Sequence, residues 1–293
     1  MIIKKAHSSK SHVLLHMLMY GILFSFALVY LAPLYVMLIT SFKSLDEVRS
    51  GGDLLTLPHI FTLGPWIKAW NSACVGASCT GLSHYFFNSI RMVIPAVMIS
   101  TILGALNGYI LTKWRFPGEK IVFAMMLMAC FIPFQVVLIP MAYFLGFMGI
   151  ANSTLGLVAV HVIYGIGFAT LFFRNVYDTF PTELIRAAQM DGAGFWVIFW
   201  RIVLPNSVPI IIVTIIYQFT NIWNDFLFGS SFASGEAAPV TVALNNIVNT
   251  SMGVKEYNVD MAAAIIAAFP TLLIYACAGR YFVRGLMSGA VKG

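Results

Sequence analysis

Between Val13 and Ile39 the chain runs for 27 residues without a single Asp, Glu, Lys or Arg. A helix needs about 20 mostly apolar residues to cross the hydrocarbon core of a bilayer. Lipid offers the backbone no hydrogen bonds, so a span must pair its own N–H and C=O groups, as a helix or a closed barrel does. Barrel strands alternate in polarity over about 10 residues, and this uninterrupted run does not. Five further apolar runs follow, at about 85–112, 121–145, 154–173, 206–229 and 261–283. The expected fold is an all-α membrane protein with six transmembrane helices.

The first run exceeds the ~7–15 apolar residues of a signal-peptide core, and no small-x-small cleavage site follows it. It reads as an uncleaved anchor. Apolar residues make up 60% of the chain and charged residues 10%, too little charge to cover a soluble globule of this size. Basic residues fix the orientation. With the N-terminus inside, twelve fall on the cytoplasmic side: Lys4, Lys5, Lys10, Lys113, Arg115, Lys120, Arg174, Arg186, Arg201, Arg280, Arg284 and Lys292. Four fall outside: Lys43, Arg49, Lys68 and Lys255. Both termini are therefore expected in the cytoplasm, and the net charge of +6 is mainly a topology signal. The basic residues form no patch with interleaved aromatics, which argues against nucleic acid as a partner. No linker or internal repeat divides the chain. One membrane domain is expected over 13–285, between a cytoplasmic segment 1–12 and a cytoplasmic tail 286–293.

Catalytic motifs are missing: there is no GxxxxGK[ST] phosphate loop, no His-Glu-x-x-His, no paired CxxC and no GxSxG elbow. The six His residues are scattered, and His161, inside the fourth run, reads as a packed polar residue. Neither catalysis nor a metal site is expected. Cys74 and Cys79 stand in an outer loop as CVGASC. An oxidising exterior permits a disulfide there, and two free thiols are the alternative. Cys130 and Cys277 fall within apolar runs and read as small hydrophobes.

One stretch breaks the pattern. Glu183 to Pro205 reads ELIRAAQMDGAGFWVIFWRIVLP, polar at first and then aromatic. Pro181 suits a first helical turn, and Glu183 suits the positive end of the helix dipole. Leu184, Ala187, Ala188 and Asp191 recur at helical spacing and would share one small-residue face. Gly192 can end the helix in a left-handed conformation, Gly194 loosens the restart, and Pro205 resets direction before the fifth run. By physics alone this could be an interfacial amphipathic helix with its aromatics among lipid headgroups.

The spacing says more. The stretch resembles the EAA loop of ABC importer membrane subunits: EAA, three residues, Gly, nine residues, Ile-x-Leu-Pro. Ala187, Ala188, Gly192, Ile202, Leu204 and Pro205 fall in register, while Arg186 stands where the pattern has its first Glu. FFNSI at 86–90, FIPFQVVLIP at 131–140, WNDF at 223–226, PVTVALN at 239–245 and RYFVRGLMSGAVKG at 280–293 resemble the carbohydrate-uptake branch of that family. The likeness is to the second membrane subunit of maltose-type systems, and around CVGASC to glucose/mannose-type importers.

The resemblance implies a second permease subunit, a dimer of ATP-binding subunits and an extracytoplasmic sugar-binding protein, all at the inner membrane of a prokaryote. ATP and Mg²⁺ would reside in the ATPase subunits, with no cofactor on this chain. It assigns ATPase coupling to Glu183, Arg186, Ala187, Ala188, Asp191, Gly192, Ala193 and Pro205, and ATPase contact to the tail Ser288–Gly293.

Polar residues inside spans are costly and often functional. Asn221, Asn224 and Asp225, interleaved with Trp223 and Phe226 in the fifth run, suit a sugar's hydroxyls and ring face; the alternative is that Asn224 and Asp225 only cap local packing. Gln135, between Pro133 and Pro140, is expected to line the cavity where the third helix is distorted. Tyr164 is a further candidate. Gly104 and Gly108 form GxxxG, a close-packing motif. Amino-acid or phosphate uptake is the alternative within the importer class. An ion-coupled secondary transporter would call for inverted repeats and buried coupling acids.

Overall fold

A computed structural model describes residues 6–51, 53–114, 116–249 and 254–290, and their side chains except those of 6–11 and 279–290. Lys4, Lys5, Arg115, Lys292 and the end of the tail lie outside the described residues, as do the side chains of Lys10, Arg280 and Arg284.

Five helices are long and apolar enough to cross a membrane unbroken: His12–Thr40, Ser83–Lys113, Thr154–Asp178, Pro205–Trp223 and Tyr257–Ala278. They belong to α1 (Ala6–Thr40), α4 (Ser83–Lys113), α7 (Thr154–Asp178), α10 (Val208–Trp223, entered through a short 3₁₀ turn) and α13 (Tyr257–Ala290). The third apolar run, expected as one helix distorted near its prolines, is broken in two. It forms α5 (Glu119–Cys130) and α6 (Phe134–Phe147), bent by 105° at the break. The physical reason is Pro133, which cannot continue the hydrogen-bond ladder and disfavours helix in the residue before it. The Ile132 carbonyl freed at the break accepts a hydrogen bond from the Tyr164 hydroxyl. Counting the bent pair as one span gives six.

The two long connections between spans are not irregular. The first holds α2 (Leu45–Arg49) and α3 (Gly64–Asn71); the second holds α11 (Leu227–Phe232) and α12 (Val240–Val248). Residues 239–242 lead into α12, whose Val240, Val242, Ala243 and Ile247 are buried. Among the described residues there is no β-strand, only an isolated bridge between Val75 and Ser78. Cys74 and Cys79 are joined by a disulfide that closes this small loop.

The body is built on α4 and α7. At Gly108 a Cβ would stand 2.8 Å from that of Phe173, and at Gly104 one would collide with Ala169. Only hydrogen fits at either glycine. The GxxxG pair therefore brings two backbones together, where dispersion can act without a hydrophobic driving force.

Two apolar clusters cap this pair. One, at the end where α4 starts, gathers Tyr85, Trp223, Phe228 and Val240 among others. The other, where α4 and α7 end, gathers Tyr109, Phe173, Tyr177, Ile198 and Phe199. In the first cluster FFNSI meets PVTVALN: Asn88 donates to the carbonyl oxygens of Glu236 and Ala238, and Ser89 Oγ accepts the Val240 N–H at 2.9 Å. The Ser89 bond satisfies an N–H at the start of α12 that no intrahelical carbonyl can reach. By contrast, α1 is exposed from His12 to Tyr35 and is buried only at its end, at Ile39 and Thr40.

Candidate functional site

The aromatic-polar stretch forms a joint between spans. α8 (Thr182–Met190) follows Pro181, with Glu183 in its first turn. Its C-terminus is a complete Schellman closure: Ala193 N–H bonds Ala188 C=O at 2.9 Å, Gly192 N–H bonds Gln189 C=O at 3.0 Å, and Gly192 has φ +83°. Such a closure needs a left-handed residue, which glycine supplies without a Cβ clash. A Cβ on Gly192 would meet nothing within 4 Å, so backbone conformation, not crowding, sets the requirement.

α8 is fastened by one residue. Ile185 is 2% exposed and packs in the cluster with Ala105, Tyr109, Phe173 and Tyr177. Ala188 and Ala193 pack partly against the same cluster. Glu183, Leu184, Arg186, Ala187, Asp191 and Gly192 are exposed, and Met190 is 84% exposed. The small face expected from sequence is thus presented outward except at Ala188, and the anchor is Ile185, a neighbour of that face. No local signal singles it out: Leu184 and Met190 in the same helix are also large and apolar, yet exposed.

Beyond the turn, α9 (Phe195–Ile198) and a π-helical turn over Phe199–Val203 lead to Pro205. The aromatics split. Phe195 and Phe199 face Tyr109 at centroid distances of 5.1 and 5.6 Å, while Trp196 and Trp200 point outward. The interfacial reading therefore fits the tryptophans only. Lys113, at the end of α4, donates to Phe180 C=O at 2.7 Å, tying α4 to the turn before α8. Residues 182–205 are thus coupled by packing to three spans.

At the opposite end of α7 and α10 lies a cavity of about 500 Å³. Tyr164, Asn221, Asn224 and Asp225 all line it, so the structure brings four of the five proposed pathway residues together. Gln135 is the correction. It is exposed and is not among the lining residues; Phe134 takes the place, 4.6 Å from Tyr164. The break at Pro133 restarts the helix, so the direction of each side chain in the first turn of α6 cannot be extrapolated from a continuous third span.

His161, read from sequence as a packed polar residue, is buried and also lines the cavity, together with Gln218 and Thr220, which sequence reasoning did not single out. Their signal was polarity within charge-free runs. Gln218 is buried, and its amide nitrogen donates to Ser100 Oγ at 3.1 Å and Gly165 C=O at 2.9 Å.

Asn224 and Asp225 lie past the end of α10, in the break before α11, because the fifth run stops at Trp223. The Asp225 carboxylate accepts the N–H groups of Phe228 at 3.3 Å and Gly229 at 3.0 Å, capping α11. Its carbonyl accepts from Thr241 Oγ1 at 2.6 Å. The capping role weighed from sequence holds for Asp225, alongside its place in the cavity wall. Asn224 Oδ1 is 3.4 Å from Thr271 Oγ1, and Asn221 is bonded back to Tyr217 C=O at 2.8 Å. The wall therefore offers one carboxylate, amides and hydroxyls beside the faces of Phe134, Tyr217 and Phe228. Among the described residues no three His, Cys, Asp or Glu side chains gather as metal ligands.

Residues 96–287 match the family described as the binding-protein-dependent transport system inner membrane component, and the chain belongs to that family. A probable ABC transporter permease protein of Pyrococcus horikoshii is 47% identical over 164 residues, 56% of this chain and 59% of that one. The xylose/arabinose import permease of Haloferax volcanii is 32% identical, with 92% of each chain covered. A chain in the crystal structure of a bacterial ABC transporter that imports the acidic polysaccharide alginate superposes with TM-score 0.79. That match covers 96% of this chain and 99% of the other at 19% identity, which speaks for the fold alone.

Proposed function

We propose that this chain is the membrane-spanning permease subunit of a sugar importer, working with a second permease, two ATP-binding subunits and an extracytoplasmic sugar-binding protein. The observation that carries the reading is the joint. α8 is a short helix closed by Gly192, rooted through Ile185 at the ends of α4 and α7, with Glu183, Arg186, Ala187 and Asp191 facing outward. That outward face suits a socket on an ATP-binding subunit. A rigid helix transmits displacement; a loose loop would absorb it.

In this reading α8 and both chain ends lie in the cytoplasm, in the inner membrane of a prokaryote. ATP and Mg²⁺ are held by the ATP-binding subunits, whose closure favours one global arrangement of the spans. α8 links that closure to the opening of the cavity, and coupling of this kind requires that ATP bind the two arrangements with different affinity. No group on this chain performs chemistry; its work is to change the side from which the cavity is reached.

Sugars are the substrate class favoured by the relatives' names and by the cavity. Neutral amides and hydroxyls beside aromatic faces match a pyranose, which is polar at its edge and apolar on its C–H face. The bent third span, taken alone, also occurs in secondary transporters, and family membership is what turns the reading to an ATP-driven importer.

The test is ATP hydrolysis by the complex reconstituted from this chain and the products of neighbouring genes. Xylose, arabinose and glucose are supplied in turn with the binding protein. Stimulation by at least one of them is expected. Stimulation only by amino acids or phosphate would replace the substrate class, and uptake driven by a proton or sodium gradient without ATP would overturn the reading.

A further inference from the structure

A second recess, of about 600 Å³, lies at the same end of the molecule as the cavity. Its walls come from parts of the chain far apart in sequence. Ser78 belongs to the disulfide-closed loop, Ser230 and Ser234 to α11 and the turn after it, and Asn245 and Asn246 to α12. All five are exposed. No charged side chain lines the recess among the described residues. Phe226, 43% exposed and set in the break between α10 and α11, is common to this recess and to the cavity.

We propose that the recess is an outer saccharide subsite on the same route, occupied before the cavity, with the Phe226 ring standing between the two. The proposal rests on the reading of the chain as a sugar permease. The chemistry selects a neutral polyol. A charged ligand would lose hydration with no counter-charge to meet, and an apolar one would strip water from amides and hydroxyls without replacing it. A sugar returns hydrogen bonds to those groups and lays its C–H face on Phe226.

The wall from the disulfide loop is already ordered. Val75 N–H bonds Ser78 C=O at 2.7 Å, and Ser78 Oγ donates to Val75 C=O at 3.2 Å, within the ring closed by Cys74 and Cys79. The loop base is fixed too: Gly81, at φ +68°, sits against the Trp70 carbonyl where no Cβ fits. A lip ordered before the ligand arrives loses little conformational freedom on binding, which favours affinity. Residue by residue, the loop thus has the build of a binding wall.

The experiment uses the assembled importer in proteoliposomes, without binding protein, and a membrane-impermeant maleimide added outside. Cys130→Ala and Cys277→Ala remove the free thiols while Cys74–Cys79 is kept. Asn246→Cys reports the outer recess, Asn245→Cys repeats it should the first variant fail to assemble, Asn221→Cys reports the cavity, and Thr56→Cys lies outside both. Xylose, arabinose and glucose are the probes. At ten times the half-protecting concentration, labelling at Asn246→Cys and Asn221→Cys should slow about tenfold, following the unliganded fraction, with Thr56→Cys unchanged. Protection of Asn221→Cys alone overturns the outer subsite and leaves the sugar-permease reading standing. Protection of Asn246→Cys alone supports the subsite and removes the cavity assignment. Protection at neither position overturns both.

Discussion

The imidazole Nε2 of His161, on α7, stands 3.8 Å from the Asp225 carboxylate that caps α11. One side chain thus faces the fourth span while holding the turn after the fifth. Phe228 and Gly229 bond different oxygens of the carboxylate, so replacing Asp225 by Asn keeps an acceptor for one of the two N–H groups, and replacing it by Ala leaves both without that partner. Asp225→Ala should lower the stability of the purified complex by about 1–2 kcal/mol, the usual range for a lost cap, and abolish most uptake. Asp225→Asn should unfold within a few degrees of the parent. Thermal unfolding and uptake, measured on both variants, decide it.

The anchor of α8 can be separated from its outward face. Ile185→Ala removes a buried side chain, at a cost of about 2–5 kcal/mol by comparison with other core truncations. ATP hydrolysis should persist while sugar uptake falls, because α8 no longer moves the spans it is rooted in. Leu184 is 49% exposed, and Leu184→Ala should instead weaken association with the ATP-binding subunits, seen as loss of co-purification. Equal behaviour of the two variants would contradict the division.

At Gly192 the space is open and the backbone angle is the constraint. Gly192→Asn should retain coupling, since Asn tolerates left-handed geometry. Gly192→Val should lose it, because a Cβ in that region costs roughly 1–2 kcal/mol and a branched one more. The ratio of sugar transported to ATP hydrolysed is the measurement. A normal ratio in the Val variant would show that the closure is dispensable.

The α4–α7 contact makes a sharp contrast between glycines. Gly108→Ala puts a methyl 2.8 Å from Phe173 Cβ, and overpacking of this kind typically costs about 1–3 kcal/mol. Gly146, in α6, has nothing within 4 Å of an added Cβ, and Gly146→Ala should be neutral or slightly stabilising, as helical Gly→Ala changes are. Thermal unfolding of the two variants side by side gives the answer.

Much of the scaffold was legible in the sequence because apolarity over 20 or more residues is a condition imposed by lipid. Val13–Ile39 and 85–112 could hardly be anything else. The joint was legible for a different reason: Ala187, Ala188, Gly192 and Pro205 carry a spacing, and Gly192 sits where the αL residue is required. Where apolarity is uniform, the same signal goes blind. It extends without pause from 121 to 145, although the backbone turns between Cys130 and Phe134; Pro133 and Pro140 mark a distortion there but do not say which side chain of the restarted helix faces the cavity. It also ran the fifth span past Trp223 and hid the fact that Asn224 and Asp225 form a turn. The missed anchor, Ile185, depends on what α8 packs against, which no local pattern records.

The bend in the third span has a consequence for how the protein is made. Helices of 12 and 14 residues reach only about 18 and 21 Å at 1.5 Å per residue, so neither half crosses the hydrocarbon by itself. The carbonyl exposed at Ile132 finds its donor in Tyr164, which is still inside the ribosome when residue 145 emerges. Segment 121–145 therefore leaves the ribosome before its break can be hydrogen-bonded to the fourth span. It takes its final shape only after the fourth span arrives alongside, which makes biogenesis of this region ordered in time as well as in space.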